Sequence, residues 1–271
     1  MKRANRVPWW YGCSLLIVLF TLFPLYLMLK ISVSPAEEIL SPHPPLGLHA
    51  LTDAHWLAIL TSEALWPPLM KSLAVATWTM LGAVSLAAPA AYVMARLPQP
   101  WKYGLILVLF ASRMVPEVGI ALPVAVRFLQ WGLLDTQLGL VLAHLIKTLP
   151  FVAWILVGTF ETIPVELEEA AQVDGCHRFG VLARVVFPLA MPGVAVAALF
   201  AWLESWNEFT YALYLTLIDK TLPLQIYYYV TRGSWFDSAT YATILTVPVI
   251  VVTACLQRYL KAGYLAGAVK G

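Results

Sequence analysis

The sequence predicts an all-α, polytopic membrane protein with six transmembrane helices and a polar loop between the fourth and the fifth. Hydrophobic residues make up 61% of the 271 residues and charged residues 12%, whereas soluble globular chains are about 45–50% apolar. Six apolar runs are long enough to cross about 30 Å of hydrocarbon: 10–29, 69–94, 105–128, 138–160, 193–215 and 240–259. We therefore interpret residues 1–271 as one transmembrane domain, with core spans from about 69 to 259.

Basic residues predict the orientation of these spans. Lysine and arginine concentrate in the cytoplasmic loops of membrane proteins, and more than half of the basic residues in this chain fall on one side. They are Lys2, Arg3, Arg6, Arg96, Lys102, Arg178, Arg184, Arg258, Lys261 and Lys270. Both termini and the polar loop are therefore predicted to be cytoplasmic. No small-residue cleavage site follows the first apolar run, so we expect an uncleaved first span.

The segment between the first two spans, residues 34–68, is predicted to lie outside the membrane on the opposite side. It is rich in proline and carries four acidic residues, and we predict a surface helix over 53–65. His43, His49 and His55 recur every six residues, which is not the spacing of a helical metal-binding pair. We interpret these histidines as part of a solvated loop and predict no metal site.

Ionisable residues in the third span need an explanation, because each costs about 2.5–3.5 kcal/mol at a bilayer centre. Arg113 and Glu117 are four residues apart, so a continuous helix would pair them. Pro116 and Pro123 disturb the helix, and irregular backbone is tolerated where it lines protein or a wet cavity. Two roles remain open for this segment: it lines a water-filled path, or the pair braces a kinked helix.

Two other spans carry polar residues. In the fifth span, Glu204, Asn207 and Glu208 recur at helical spacing, which is compatible with a wet path or with a polar network between helices. In the fourth span, His144 and Lys147 lie toward one side, where we expect them to be solvated or paired.

The polar loop, residues 161–192, is predicted to contain a short helix from Pro164 to Gly175. Proline suits a first helical position and glycine a helix end, and about three turns would measure roughly 16 Å. Three glutamates place negative charge near the helix N-terminus: Glu166, Glu168 and Glu169. One face of this helix presents two small alanines between Leu167 and Asp174, which suits insertion into a cleft.

After the short helix, a basic and apolar stretch is predicted over 178–186. We expect Pro188, Pro192 and Gly193 to break the helix before the fifth span.

Two further segments depart from ordinary loops. Residues 217–238, outside the membrane, are too apolar for a solvated loop and indicate a contact surface. Residues 262–271 are small and uncharged apart from Lys270, which favours a strand-like tail threaded through a narrow gap over the alternative of a frayed terminus.

Sequence motifs of catalysis are absent from the chain. It has no phosphate-binding G-x-x-x-x-G-K-[ST] loop, no G-x-S-x-G and no H-E-x-x-H. The net charge of +2 gives no reason to expect nucleic acid as a partner. The three cysteines form neither a disulfide nor a metal-site arrangement. We therefore predict a protein that is not an enzyme, has no cofactor of its own, and takes energy from a partner.

The polar loop resembles a known signature. Glu169, Ala170, Ala171, Gly175 and Pro188, at their spacing, are similar to the EAA motif of the membrane subunits of binding-protein-dependent ABC importers. Further residues resemble the carbohydrate-type group, in particular the smaller, six-span permease of maltose-like systems: Ala91, Tyr92, Ala95, Arg96, Leu97, Asp174, Trp206, Asn207, Glu208, Leu222, Pro223 and the closing residues 267–271.

This resemblance implies a set of partners and sites. It implies a homologous second permease, an extracytoplasmic binding protein, and two ATPase subunits that hold ATP and magnesium, all assembled at the inner membrane of a bacterium or archaeon. The 164–175 helix becomes a coupling helix, with ATPase docking at Glu169, Ala170, Ala171, Asp174, Gly175, Arg178 and Phe179. The tail that would lie against the ATPases is Gly267, Ala268, Val269, Lys270 and Gly271.

The resemblance also gives the remaining polar residues candidate roles. The translocation path would include Arg113, Glu117, Glu204, Asn207 and Glu208. The binding protein would contact Tyr227, Arg232, Gly233 and Trp235.

Other functions remain as alternatives. Within the importer class, the solute could be a phosphorylated polyol or an amino acid instead of a sugar. An ion-coupled secondary transporter would use an acid such as Glu117 or Glu204, and it would also show repeated halves, which are not evident in the sequence.

Overall fold

The computed structural model describes residues 9–232 and 235–268, and all regular secondary structure within them is helical. The described residues form thirteen α-helices and one π-helical turn, Leu182–Val186. The α-helices are α1 Trp9–Val33, α2 Ala36–Ile39, α3 Ala54–Leu60, α4 Trp66–Ala95, α5 Gln99–Ser112, α6 Glu117–Gln130, α7 Gln137–Glu161, α8 Val165–Val173, α9 Arg178–Val181, α10 Phe187–Trp206, α11 Thr210–Leu215, α12 Leu222–Thr231 and α13 Trp235–Ala268.

Five stretches of helix in the described chain are long and apolar enough to cross a membrane. They are 11–33, Trp66–Ala95, Gln137–Glu161, Arg178–Trp206 and 235–255. A sixth span arises if α5 and α6 act together, although the two are bent by 79° at their junction. The predicted all-α membrane fold is confirmed, and the predicted number of six spans requires this bent pair to count as one.

The chain divides into two compact units. The smaller contains residues 9–65 and 225–247, and the larger contains 66–224 and 248–268. In the smaller unit, α1 packs on α3, and the buried Lys30 ammonium lies 3.4 Å from the Glu38 carboxylate. The ring of His55 stacks on Phe236 there, with centroids 4.7 Å apart.

The core of the larger unit is formed by α4, α7 and α10. Small residues let these helices approach closely, as is usual in membrane bundles. Ala83, Ala87 and Ala91 recur every four residues on α4 and are buried. At the crossing of α7 and α10, a Cβ on Gly193 would stand 2.2 Å from Thr159 Oγ1, so only glycine fits there without a shift of Thr159.

The third predicted span is not one continuous helix. Arg113 is the C-cap of α5, Pro116 is the N-cap of α6, and Glu117 is the first residue of α6. A proline disfavours helical geometry at the residue before it, here Val115. The predicted pairing of Arg113 with Glu117 is therefore wrong, because the helix that would have brought them together is broken between them.

The predicted break before the fifth span is also wrong. Pro188 and Pro192 lie inside α10, which follows α9 and the π-helical turn without interruption. Within the turn the Phe187 N–H donates to the Leu182 carbonyl, five residues back. Pro188 has no N–H to donate and would interrupt a regular α-helix. The wider turn directly before it accommodates the proline, so the helix continues past it. The apolar run ends at Trp206 instead, and residues 207–209 separate α10 from α11.

The other predicted segments differ in length or type. The surface helix expected over 53–65 is the shorter α3, and residues 217–238 contain a helix, α12. The strand-like tail is wrong for residues 262–268, because α13 continues as a helix through Ala268. Adding residues to an existing helix needs no new nucleation, and alanine is the best helix former. Residues 269–271 lie outside the described part of the chain.

Candidate docking loop and polar quartet

The short helix α8 begins after its N-cap Pro164 and ends at a Schellman motif. Gly175 adopts φ +89°, its N–H donates to the Gln172 carbonyl, and the Cys176 N–H donates to the Ala171 carbonyl, both at 3.0 Å. Left-handed geometry of this kind favours glycine. The predicted helix end at Gly175 is confirmed, and the chain turns there into α9.

The base of α8 is held by a buried ion pair with the end of α4. Glu168 is 4% exposed, and its carboxylate accepts hydrogen bonds from Arg96 Nε at 2.9 Å and from the Tyr92 hydroxyl at 2.5 Å. Arg96 Nη2 also donates to the Ile163 carbonyl at 3.1 Å, just before α8 begins. Charge-assisted hydrogen bonds with a shared guanidinium are among the strongest in proteins. One arginine therefore fixes both the start and the buried face of α8.

The opposite side of the loop is open. Glu169 and Ala170 are exposed, and large apolar side chains point outward, with Val173 88% and Phe179 79% exposed. Exposed apolar groups beside charged ones mark an interaction surface. Ala171 is half-buried and packs on the core of the larger unit instead.

A groove of about 510 Å³ opens beside this surface. The ends of α4 and α8 and the start of α9 line it, including Tyr92, Arg96, Gln172, Arg178 and Phe179. His177 Nδ1 accepts the Gly180 N–H at 2.7 Å and caps α9, which sets the position of Arg178 and Phe179. The seven predicted docking residues thus lie together, in α8, the turn and α9.

Four charged side chains from four different segments meet near the middle of the bundle; we call Arg113, Glu117, Lys147 and Glu204 the polar quartet. Lys147 Nζ lies 3.0 Å from a Glu117 oxygen and 3.8 Å from a Glu204 oxygen, and Arg113 Nη2 lies 3.4 Å from Glu204. Lys147 is ten residues, or about 15 Å, from the start of α7. The charges balance within the quartet.

Helix ends explain why the quartet forms at the break in the third span. Arg113 stands at the C-terminal end of α5 and Glu117 in the first turn of α6, so each charge opposes the helix dipole beside it. The four side chains remain 17–38% exposed. Since charged groups at this depth avoid lipid, the exposed side of the quartet must face water or protein.

Glu208 is separate from the quartet and lies in the packing between helices. It is 2% exposed, and its carboxylate caps α11 by accepting the N–H groups of Tyr211 at 2.9 Å and Ala212 at 3.1 Å. His144 Nε2 lies 3.3 Å from the same carboxylate, and His144 Nδ1 is 2.7 Å from Ser205 Oγ. Of the two predicted roles for Glu208, the structure favours the polar network. Asn207 is exposed and donates to the Leu203 carbonyl at 2.9 Å.

The residues predicted to meet a binding protein lie in the smaller unit. Tyr227, in α12, is 49% exposed, and Trp235, at the start of α13, is 72% exposed. The guanidinium of Arg232 covers the ring of Tyr228 at 3.8 Å. Gly233 lies outside the described residues, as do Val269, Lys270 and Gly271 of the predicted tail, while Gly267 and Ala268 belong to α13.

Sequence reasoning missed two parts of these sites. The sequence predicts for Glu168 only a negative charge near the helix N-terminus, although its position one residue before Glu169 places it on a different helix face. For Lys147 the sequence predicts a solvated or paired ammonium group but indicates no partner. A lone lysine in an apolar run was the available signal, because such a cation needs a carboxylate from another span.

Comparison with known proteins agrees with this architecture. Residues 87–264 match the family of the inner membrane component of binding-protein-dependent transport systems. The chain is 31% identical over 275 residues to the trehalose transport system permease protein SugB of Mycobacterium tuberculosis, covering 99% of each chain. It is 26% identical over 276 residues to the diacetylchitobiose uptake system permease protein DasC of Streptomyces coelicolor, covering 100% of each.

A solved structure shares the fold. It is the crystal structure of a bacterial ABC transporter involved in the import of the acidic polysaccharide alginate, which matches with a TM-score of 0.77 at 19% identity, over 96% of this chain and 99% of that one. The matched family covers more than half of the chain and includes every segment from the end of α4 to α13. The chain therefore belongs to the family of inner membrane components of binding-protein-dependent transport systems.

Proposed function

We propose that this chain is the membrane-spanning permease subunit of an ATP-driven importer of carbohydrates, in which it forms half of the translocation path. The names of two relatives that match it over almost their full length include trehalose and diacetylchitobiose. The observation that carries the proposal is the segment made of α8, the turn at Gly175 and α9, which we call the docking loop. Its apolar and charged surface is exposed, and its base is fixed to α4 by the Arg96–Glu168 pair.

The docking loop suits an ATPase partner. A coupling element transmits motion only through contacts that differ between two states, so its exposed side must bind the ATPase while its other side is fixed to the membrane helices. Exposed Glu169 and Phe179 provide contacts for the ATPase, and the groove beside Arg178 can accept one of its side chains. ATP and magnesium belong to two such ATPase subunits, and this chain supplies no phosphate-binding loop of its own.

We assign the remaining partners of the proposed importer to other surfaces. A homologous second permease completes the path beside the polar quartet and Asn207. An extracytoplasmic binding protein contacts the region of Tyr227, Arg232, Gly233 and Trp235, where two large aromatic side chains are exposed. The closing residues 267–271 lie against the ATPase subunits, and both termini are cytoplasmic.

A charge reversal on the docking loop tests the proposal. In the complex reconstituted in vesicles, Glu169→Lys is expected to reduce ATPase co-purification and ATP-driven sugar uptake by about tenfold or more, the effect of about 1.4 kcal/mol at the interface. The matched control is Gln99→Lys, which adds a lysine to the exposed first turn of α5, outside the docking loop. Normal uptake by Glu169→Lys, or uptake that follows an ion gradient instead of ATP, would contradict the proposal.

A further inference from the structure

Three phenylalanine side chains lie one helical turn from the polar quartet, on the same helices. Phe110 precedes Arg113 by three residues, Phe151 follows Lys147 by four, and Phe200 precedes Glu204 by four. Residues three or four apart share a helix face. Together with Trp154, these side chains form what we call the aromatic patch. On all three helices the patch lies on the α8 side of the quartet, because α5 starts and α7 ends at that side.

The patch is a continuous group of rings. Phe151 stacks on Phe200 with centroids 4.1 Å apart, and Phe110 meets Phe151 and Trp154 edge to face at 6.3 and 5.7 Å. Trp154 is 44% exposed, and the three phenylalanines are half-buried. The rings therefore hold one another in place while part of the surface stays open.

The combined surface has the chemistry of a sugar site. Ligand sites typically combine apolar or aromatic walls with a few convergent polar groups. The quartet offers two cationic donors and two carboxylate acceptors for hydroxyl groups, and charge-assisted hydrogen bonds of this kind are strong. The rings offer a flat apolar face for the C–H side of a pyranose. An adjacent interruption in a spanning helix, here the break between α5 and α6, is also typical of solute sites in transport proteins.

The charge balance selects among solutes. Two cations and two carboxylates within 4 Å of their partners leave no net charge. An anionic solute would be attracted by the two cations of the quartet and repelled by its two carboxylates. A neutral polyol, in contrast, can donate hydrogen bonds to the carboxylates and accept them from the cations.

We propose that the polar quartet and the aromatic patch together form a transient binding site for a neutral sugar within this subunit. The site rests on the proposed import function and gives it a substrate class. Its role is to receive the sugar after release from the binding protein and to hold it weakly on the way across.

Equilibrium binding to the assembled complex, without binding protein or ATP, tests this site. The probes are radiolabelled trehalose, maltose and diacetylchitobiose, with an alginate trisaccharide as the acidic comparison. We expect at least one neutral probe to bind and the acidic probe to bind at least tenfold more weakly. Trp154→Leu and Glu204→Gln should each weaken the neutral probe by about tenfold, which corresponds to 1.4 kcal/mol.

Matched controls separate the site from a general loss of structure. Trp101→Leu removes an exposed tryptophan from α5 outside the patch, and Glu63→Gln neutralises an exposed carboxylate far along the chain. Both should bind the neutral probe normally. Glu117→Gln leaves the quartet with a net positive charge and should raise binding of the acidic probe by roughly fivefold, the effect of one partly exposed charge.

Three results would overturn the proposal: no binding of any neutral probe, normal neutral binding by both Trp154→Leu and Glu204→Gln, or loss of assembly with the second permease in Trp154→Leu. The last would identify the patch as a subunit interface. Because the assay needs no ATP, a negative result leaves ATP-coupled uptake and the Glu169→Lys test unaffected.

Discussion

Arg96 illustrates how a single side chain can connect a proposed docking surface to the membrane bundle. Its guanidinium lies at the end of α4 and donates to the Glu168 carboxylate and to the Ile163 carbonyl. Glu168 and Glu169 are neighbours in sequence, yet the first is buried and the second is exposed. The pair of glutamates therefore divides one helix into an anchored side and a side free to bind.

Reversal of the anchoring pair gives a specific prediction. Arg96→Glu should lower ATPase docking and coupled uptake by about tenfold, because a hydrogen-bonded charge contributes about 1.5–3 kcal/mol and Arg96 would be replaced by a charge that repels Glu168. The exchanged variant Arg96→Glu with Glu168→Arg should recover a large part of the loss. Co-purification of the ATPase and the ratio of sugar transported to ATP hydrolysed measure both effects.

The recovery decides the role of the pair. If Arg96→Glu reduces only the amount of protein in the membrane, and the transport ratio of the remaining protein is normal, Arg96 acts in folding alone. Glu169→Lys is the contrasting variant, because the Glu169 side chain is exposed and does not pair with Arg96. Combining Glu169→Lys with Arg96→Glu should therefore not restore coupled uptake.

The crossing of α7 and α10 depends on the absence of one side chain. Gly193 faces Thr159 so closely that a methyl group would meet Thr159 Oγ1 and Cγ2 at 2.2 and 2.3 Å. The π-helical turn directly precedes α10 and Glu204 lies near its other end, so Gly193 lies between them along the chain. Close backbone approach through small residues is a main source of stability for helices in a membrane, where lipid is as apolar as the core.

Gly193→Ala should therefore destabilise the bundle by about 1–3 kcal/mol, the usual effect of overpacking. Adding Thr159→Ala should recover part of this loss, because it removes the two nearest atoms. Gly158→Ala is the matched control on α7, as its added methyl group would meet no atom within 4 Å. Midpoints of denaturant-induced unfolding in detergent measure the three variants, and equal midpoints for Gly193→Ala and Gly158→Ala would contradict the close contact.

The proposed docking loop and the candidate binding-protein surface lie in different units. Basic residues cluster in the loops that flank α4, α5 and α8, and a membrane potential and anionic lipids favour such loops on the cytoplasmic side. The segment around His43 carries no such cluster and is exposed.

This orientation is open to direct labelling. With Cys13, Cys176 and Cys255 replaced by serine, a membrane-impermeant maleimide applied to intact spheroplasts should label His43→Cys. Val173→Cys, whose parent side chain is 88% exposed on the docking loop, should be labelled only after the membrane is permeabilised. Labelling of Val173→Cys in intact spheroplasts would reverse the predicted topology.

Composition and local pattern were sufficient for the all-α membrane fold and for a short helix between the fourth and fifth spans. Long apolar runs have no stable alternative to a spanning helix, because unpaired backbone groups are too costly in hydrocarbon, and the Pro164 to Gly175 helix carries both of its end signals in its own sequence. The partners of charged groups were decided only by the tertiary structure. Arg113 pairs with Glu204 and Glu117 with Lys147 because the broken span turns each toward another helix, and neither that turn nor the continuity of α10 through Pro188 is encoded in residues three or four apart. Which charged groups pair over long distances depends on which helix faces meet when the helices pack. Local periodicity in a single sequence does not show which faces these are.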